Sequence, residues 1–338
     1  MTKLKIGDKI EIKKEEKASK YESTFTDILV ALKSSKLGQK EKLKWCSTAL
    51  EILDMWFMED ELKSVRVAKK KLIPILESLV EKGSIVNMAS FFELYKRTYC
   101  FCSKRDLECF IDYMEWNHSK KVLARRRDIL KPYIDALNRM AFDEKLEYLI
   151  VSYPPSIGKS VCATFFSAWA YGLSINNSII RMSYSDELVL GFSRTIKDII
   201  SSPEFAEVFS LFKLYAGKPF DVERESDWKI KNAIVPKSNH IARTRNGSTT
   251  GERASFAIIF DDMTKGAEEA NNDSVHKGIY DKWLTEWWNR RDGLKCKFIF
   301  VGTQWTPEDI LNRVITHRDK VSPLMETDNK YVMESEDK

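Results

Sequence analysis

The chain has 338 residues, 43% of them apolar, with 55 basic and 50 acidic side chains and four histidines. That length holds one large domain or two smaller ones. A net charge of only +5 excludes recognition of nucleic acid through bulk charge, so any such contact must come from local clusters. No run of about 18 apolar residues occurs, and the start, "MTKLKIGDKIEIKKEEK", lacks the apolar stretch of a secretory signal; the expectation is an intracellular protein with no membrane partner.

Six cysteines, at 46, 100, 102, 109, 162 and 296, do not form the dense framework of a small secreted domain, so reduced thiols are expected. Cys100, Cys102 and Cys109 with His118 invite a zinc reading, but their spacing matches no common ligand pairing.

The first 85 residues are rich in Lys, Glu and Leu. Helical spacing runs through "FTDILVALKSS", "LKWCSTALEILDMWFM" and "VAKKKLIPILESLVEKG", which predicts an N-terminal helical region over 1–85. Its run "RVAKKK" reads either as a DNA-facing cluster or as a solvated helix face. A second domain is expected over 86–320, and 321–338 reads as a tail or linker. The second domain opens with further helical segments, "ELYKRTYCFC" and "VLARRRDILKPYIDALNRM". The texture then changes: "YLIVSY", "SIIRMSY", "FAIIF" and "KFIFVG" recur between helical segments. That alternation predicts an α/β fold with a mainly parallel central sheet flanked by helices.

The stretch "LEYLIVSYPPSIGKSVCATFFSAWAYG" reads as strand, loop and helix. A phosphate loop surrounds phosphates with consecutive backbone N–H groups and a helix N-terminus, while a lysine reaches the terminal phosphates. Of the pattern G-x-x-x-x-G-K-[ST] only Gly158, Lys159 and Ser160 are kept, and Tyr153 stands where the first glycine belongs. Pro154 and Pro155 can replace glycine's freedom with rigidity, since proline presets its own φ and keeps the preceding residue extended. On this reading Pro155, Ser156, Ile157, Gly158, Lys159, Ser160 and Val161 line ATP, and the Ser160 hydroxyl is a ligand for Mg²⁺.

In "SFAIIFDDMTKG" two aspartates follow an apolar strand. Asp261 fits a metal-facing acid and Asp262 the acid that orients or deprotonates the attacking water, with Glu268 and Glu269 in reserve; a capping or turn pair is the alternative. "KFIFVG" ends in Thr303 and Gln304, a polar pair able to sense a γ-phosphate or simply to turn the chain. Arg253 is a candidate to neutralise the transferring phosphoryl group, within the chain or across a subunit contact, with Arg243 and Arg245 as competitors. Trp283, Trp287 and Trp288 suggest a DNA-stacking patch, but helical spacing favours burial of at least two of them against the sheet. His240, His276 and His317 show no partner pattern.

Three blocks, "PPSIGKS…FFSAWAYG…IIRMSYSDELVLGFSRTIKDIISSPEF", "STTGERASFAIIFDDMTKGAEEA" and "KFIFVGTQWTPEDILNRV", together with the approach "RRRDILKPYIDAL", resemble the large terminase subunits of tailed bacteriophages over roughly residues 90 to 315. The resemblance implies a phosphate-loop NTPase of the additional-strand (ASCE) class. Its activity would be that of an ATPase driving double-stranded DNA into a procapsid in the cytoplasm of an infected bacterium. A ring of subunits would dock on the portal protein and work with a small terminase subunit.

By that resemblance Lys159 and Ser160 hold phosphates and Mg²⁺, Asp261 holds the metal through water, Asp262 positions the attacking water, Thr303 with Gln304 couples hydrolysis to movement, and Arg253 is a candidate finger. Two departures stand out. Ile157 leaves no basic side chain inside the loop, and the chain stops soon after "LNRV", where the family usually continues into a nuclease, so no DNA cleavage is expected. Two other readings stay open: another DNA-translocating motor such as a helicase, and a non-hydrolysing DNA-binding or capsid-assembly scaffold.

Overall fold

The computed structural model describes residues 20–34, 36–81, 88–118, 121–321 and 332–334. Most of the expected tail over 321–338, and the "MTKLKIGDKIEIKKEEK" start, lie outside them. The chain divides into two compact units, Met1–Tyr113 and Met114–Lys338. The division therefore falls after Tyr113 rather than near residue 85, because the helices beyond Gly83 share the core of the first unit.

The first unit is helical. Helix α1 spans residues 20–32, followed by α2 (Gln39–Phe57) and α3 (Glu61–Val67), which passes through a π-helical turn (Ala68–Leu72) into α4 (Ile73–Glu81); α5 (Met88–Ser103) and α6 (Leu107–Met114) complete it. Helix α2 forms because Cys46, Ala49, Leu50, Leu53 and Trp56 fall on one face and are all buried. Its start is satisfied by Glu41, which accepts from the Gly38 amide at 2.9 Å. Those residues meet Leu72, Leu76, Phe91, Leu94 and Phe101 in one core.

Within "RVAKKK", Lys69 turns onto Asp106 and Glu108, at 2.8 and 2.7 Å, while Lys70 and Lys71 are exposed. All six cysteines are free thiols. Among the described residues no group of three or more His, Cys, Asp or Glu is placed to hold a metal, and no helix is long and apolar enough to cross a membrane.

The second unit is α/β. Helix α7 (Arg127–Phe142) leads to β1 (Tyr148–Ser152), α8 (Lys159–Leu173), β2 (Ile179–Ser183), α9 (Asp186–Ser201) and α10 (Pro203–Val208). Then come β3 (Phe220–Glu223), β4 (Asp227–Ile230), β5 (His240–Thr244), β6 (Ala257–Asp261), α11 (Gly266–Ala270), α12 (Asp273–Thr285), β7 (Lys297–Gly302), α13 (Ile310–Val321) and β8 (Val332–Glu334). The sheet order is β3-β4-β5-β2-β6-β7-β1-β8. All neighbours are parallel except β3 with β4 and β4 with β5. The ladder between β3 and β4 slips between Phe220 and Val222.

The central strands are buried along their whole length because helices cover both faces. On one face Ile150, Phe300, Phe260 and Met182 lie in register across β1, β7, β6 and β2. There they meet Ile279, Trp283, Trp287 and Val314. Trp283 and Trp287, each 1% exposed, sit 5.8 Å from Phe300 and 5.4 Å from Phe260 between ring centroids, so these two indoles are core. Trp288 is partly buried against the same cluster, with the Arg291 guanidinium 4.3 Å above its ring.

The sheet also fixes where chemistry can happen. β1 and β6 are separated by β7 alone. All three run parallel, so the loops after them open at one edge, the position where ligands of such sheets bind.

Candidate active site

The chain leaves β1 at Ser152 and turns before α8. Tyr153 continues the strand pairing, its amide donating to the Gly302 carbonyl at 3.1 Å, while its hydroxyl donates to the Ile129 carbonyl at 3.1 Å. The side chain is 5% exposed. Among the described residues the only non-glycine positions at positive φ are Ser156, Ala216, Asn232 and Asp262. Tyr153 thus needs no glycine, because the reversal is made later, at Ser156 (φ 63°) and Gly158 (φ 111°). Pro154, Pro155 and Ser156 are exposed and Ile157 is half-buried. Gly158 precedes α8, and Val161 lies half-buried in its first turn.

Gly158 is required twice over. A Cβ there would stand 3.1 Å from Leu123 Cδ2 and 3.3 Å from Leu130 Cδ1, on top of the left-handed backbone. A cation does reach the loop, but from outside it: the Arg126 guanidinium donates to the Ser156 carbonyl. The run "RRRDIL" was readable only as a helix approach, so sequence reasoning missed this contact.

Lys159 opens α8 and is 4% exposed. Its Nζ donates to Thr303 Oγ1 at 3.1 Å and lies 3.5 Å from Asp262 Oδ1. Thr303 Oγ1 in turn donates to the Tyr153 carbonyl at 3.0 Å, which ties the end of β7 to the start of the loop. Gln304 is exposed, its amide donating to Ser152 Oγ at 3.1 Å. Ser160 Oγ donates to Asp261 Oδ1 at 2.8 Å, across 101 residues of sequence.

Asp261 is fully buried, and its second oxygen, Oδ2, is held by Arg181. Arg181, in the middle of β2, was not among the expected residues. The signal was an arginine inside the otherwise apolar run "SIIRM", which a buried strand tolerates only with a partner. Asp262 is half-buried at φ 46°. Burial, and then the neighbouring Asp261 charge, hold its carboxyl above the usual range, with Lys159 pulling the other way. Asp262, Met263, Thr303, Trp305 and Asp309 border a cavity of about 20 Å³, room for roughly one water.

Four expected residues fall elsewhere. Arg253 precedes the start of β6, beside Arg291, whose carbonyl it approaches at 3.5 Å. Asp261 ends that strand, so Arg253 stands at the opposite edge of the sheet from Lys159. Arg243 is paired with Glu252. Arg245 comes closer, donating to the Met263 carbonyl at 2.7 Å and to Glu269 Oε2 at 2.8 Å. Glu269 is correspondingly occupied: Arg245 first, and the Lys265 amide with it, hold its carboxyl below the usual range against a partial burial cost, which makes it a weak base. The side chain of Glu268 lies outside the described residues. His240 and His276 are buried, His240 accepting or donating to the Tyr171 hydroxyl at 3.0 Å and His276 facing the Ala270 carbonyl at 2.8 Å; the side chain of His317 lies outside the described residues.

The donor chemistry fits Mg²⁺. A serine hydroxyl and a carboxylate oxygen, both hard donors, converge from facing elements, and that ion takes one or two protein ligands and keeps its waters. The arrangement can hold an anion at the start of α8, balance it with Lys159, and offer Asp262 as an acceptor of a proton. No protein-family model matches the chain, and no curated protein does.

Proposed function

We propose that the chain is a phosphate-loop ATPase that hydrolyses ATP and uses the cycle to translocate double-stranded DNA, in the manner of the motor part of a large terminase subunit. One observation carries the reading. Lys159 at the head of α8 faces Asp262 at the end of β6, while Ser160 meets Asp261, so four residues from two distant segments converge on one sheet edge.

The loop amides from Ser156 to Val161 and the N-terminus of α8 would cradle the β- and γ-phosphates. Lys159 would leave Asp262 for the terminal phosphoryl oxygens, which frees that carboxylate to orient the attacking water and accept its proton. Ser160 and Asp261 would hold Mg²⁺, which neutralises phosphate charge when bound. Thr303 loses or keeps its hydrogen bond according to where Lys159 points. It is therefore the contact through which hydrolysis reaches β7, with Gln304 beside it. Arg253, at the far sheet edge, would serve a phosphoryl group only on a neighbouring subunit of a ring. DNA would be held through phosphates and without sequence preference, because a motor must grip every base pair that passes; a portal and a small terminase subunit are the further partners of this reading.

Lys159→Ala tests it. Mg²⁺-dependent ATP turnover is expected to fall by at least about 100-fold with the circular dichroism spectrum unchanged. Turnover equal to that of the parent removes the loop from the mechanism, and absence of nucleotide binding in the parent chain favours the scaffold reading. Unwinding of a forked duplex would mark a helicase instead.

A further inference from the structure

The parts of the site that touch nucleotide on the reading above leave one charged group unused. Arg181 lies in the centre of β2 with its side chain 0% exposed. Burying a guanidinium is costly unless each donor finds an acceptor, and its donors go to the site itself. Nη2 serves Asp261 Oδ2 and, at 2.9 Å, the Ser160 carbonyl; Nη1 serves Thr164 Oγ1 at 2.8 Å. The plane of the guanidinium rests on Phe192, 3.9 Å from the ring centroid. Nε has no hydrogen-bond partner among the described residues. One side chain thus ties β2, the first turns of α8 and the end of β6.

We propose that Arg181 is the positioning residue for the divalent cation of this site. By taking Oδ2 it stops the Asp261 carboxylate from rotating and leaves Oδ1 alone, beside the Ser160 hydroxyl, to meet a metal. The proposal rests on the phosphate-loop reading. Its second consequence is electrostatic. Arg181 and Lys159 balance Asp261 and Asp262, so the four groups carry no formal net charge and do not attract a free divalent cation. The cation enters with the negative charge of the nucleotide phosphates. A carboxylate pair without the arginine would bind the metal by itself.

The test uses Mn²⁺ as the probe, with bound ion measured by electron paramagnetic resonance on the full chain, with and without ADP. The parent protein should bind Mn²⁺ far more tightly when ADP is present. Arg181→Lys keeps the charge but cannot span three acceptors. It should weaken Mn²⁺ binding in the ADP complex by about 10-fold, the low end for loss of a group that orients a metal ligand, and raise the Mg²⁺ half-saturation of turnover. Thr164→Val, which removes one acceptor and leaves both charges, should shift Mn²⁺ affinity in the same direction by less, and carries the test if Arg181→Lys fails to fold. Equal Mn²⁺ affinity in parent and Thr164→Val, or in parent and folded Arg181→Lys, overturns the role of Arg181 and leaves the ATPase reading standing. A parent chain that binds Mn²⁺ equally well without ADP also overturns it. If the parent binds no nucleotide, both fall.

Discussion

The loop's two left-handed residues make opposite and separable predictions. In Gly158→Ala the new residue would have to hold φ 111°, a conformation that costs an L-residue about 1–2 kcal/mol. Its Cβ would press on Leu123 at 3.1 Å and Leu130 at 3.3 Å, both leucine methyls with limited room to withdraw, adding about 1–2 kcal/mol of overpacking. The total is about 2–4 kcal/mol. Ser156→Gly runs the other way: it relieves about 1–2 kcal/mol of left-handed strain and forfeits about 0.5–1 kcal/mol of chain entropy, for a net gain of about 0.5–1 kcal/mol.

Urea titration read through amide hydrogen exchange of β1 and α8 is the assay, because the two units need not unfold together. With a urea slope of about 2–3 kcal/mol/M, the midpoint should fall by about 1 M for Gly158→Ala and rise by a few tenths for Ser156→Gly. An unchanged midpoint for Gly158→Ala, or a lower one for Ser156→Gly, would refute the argument that these two residues carry the reversal which Tyr153 does not.

Asp262→Asn keeps the side-chain shape and suits φ 46°, since asparagine tolerates the left-handed region, so stability should hold while ATP turnover drops about 10²–10⁴-fold and nucleotide binding persists; turnover within threefold of the parent would take Asp262 out of the chemistry. His240 is stacked on Trp228 at 4.9 Å and fully buried, and burial, followed by the Arg181 and Arg243 charges, holds its pKa at about 3. An unfolded histidine titrates near 6.5, so between those values the unfolded chain binds the proton and the folded one does not. Stability is lost as pH falls from about 6.5 toward 3, by about 2 kcal/mol at pH 5. His240→Gln should flatten that slope between pH 7 and 5, and an identical slope in the variant would assign the acid sensitivity to other groups.

Much of the fold was legible because period and composition are local. "YLIVSY", "SIIRMSY", "FAIIF" and "KFIFVG" are β1, β2, β6 and β7, and the tryptophan spacing foretold two buried indoles. The antiparallel extension through β3 and β4 was not legible, since those strands are short and β3 is largely exposed, which leaves no apolar signature. At the site, Lys159, Ser160, Asp261, Asp262 and Thr303 come together as their motifs suggested. What pattern reading could not give is anything set by sheet order. Arg253 looks adjacent to the acids in sequence, yet a strand lies between, and five residues of strand carry a side chain to the far edge of the sheet. Arg181 and Arg126 act through a neighbour strand and a preceding helix, and no spacing rule links them to the loop. The boundary near residue 85 differs from the division after Tyr113 because Leu72 and Leu76 share one core with Phe91 and Leu94, which local composition does not reveal.

The margin of the sheet at β3 bears on how copies of the chain can meet. Asp221 lies within the slip in its ladder, and Glu223 follows it on the same strand. An incoming strand there would face like charge and a row of donors and acceptors out of step with its own. Edge-to-edge pairing of β3 between two copies is therefore disfavoured along this border.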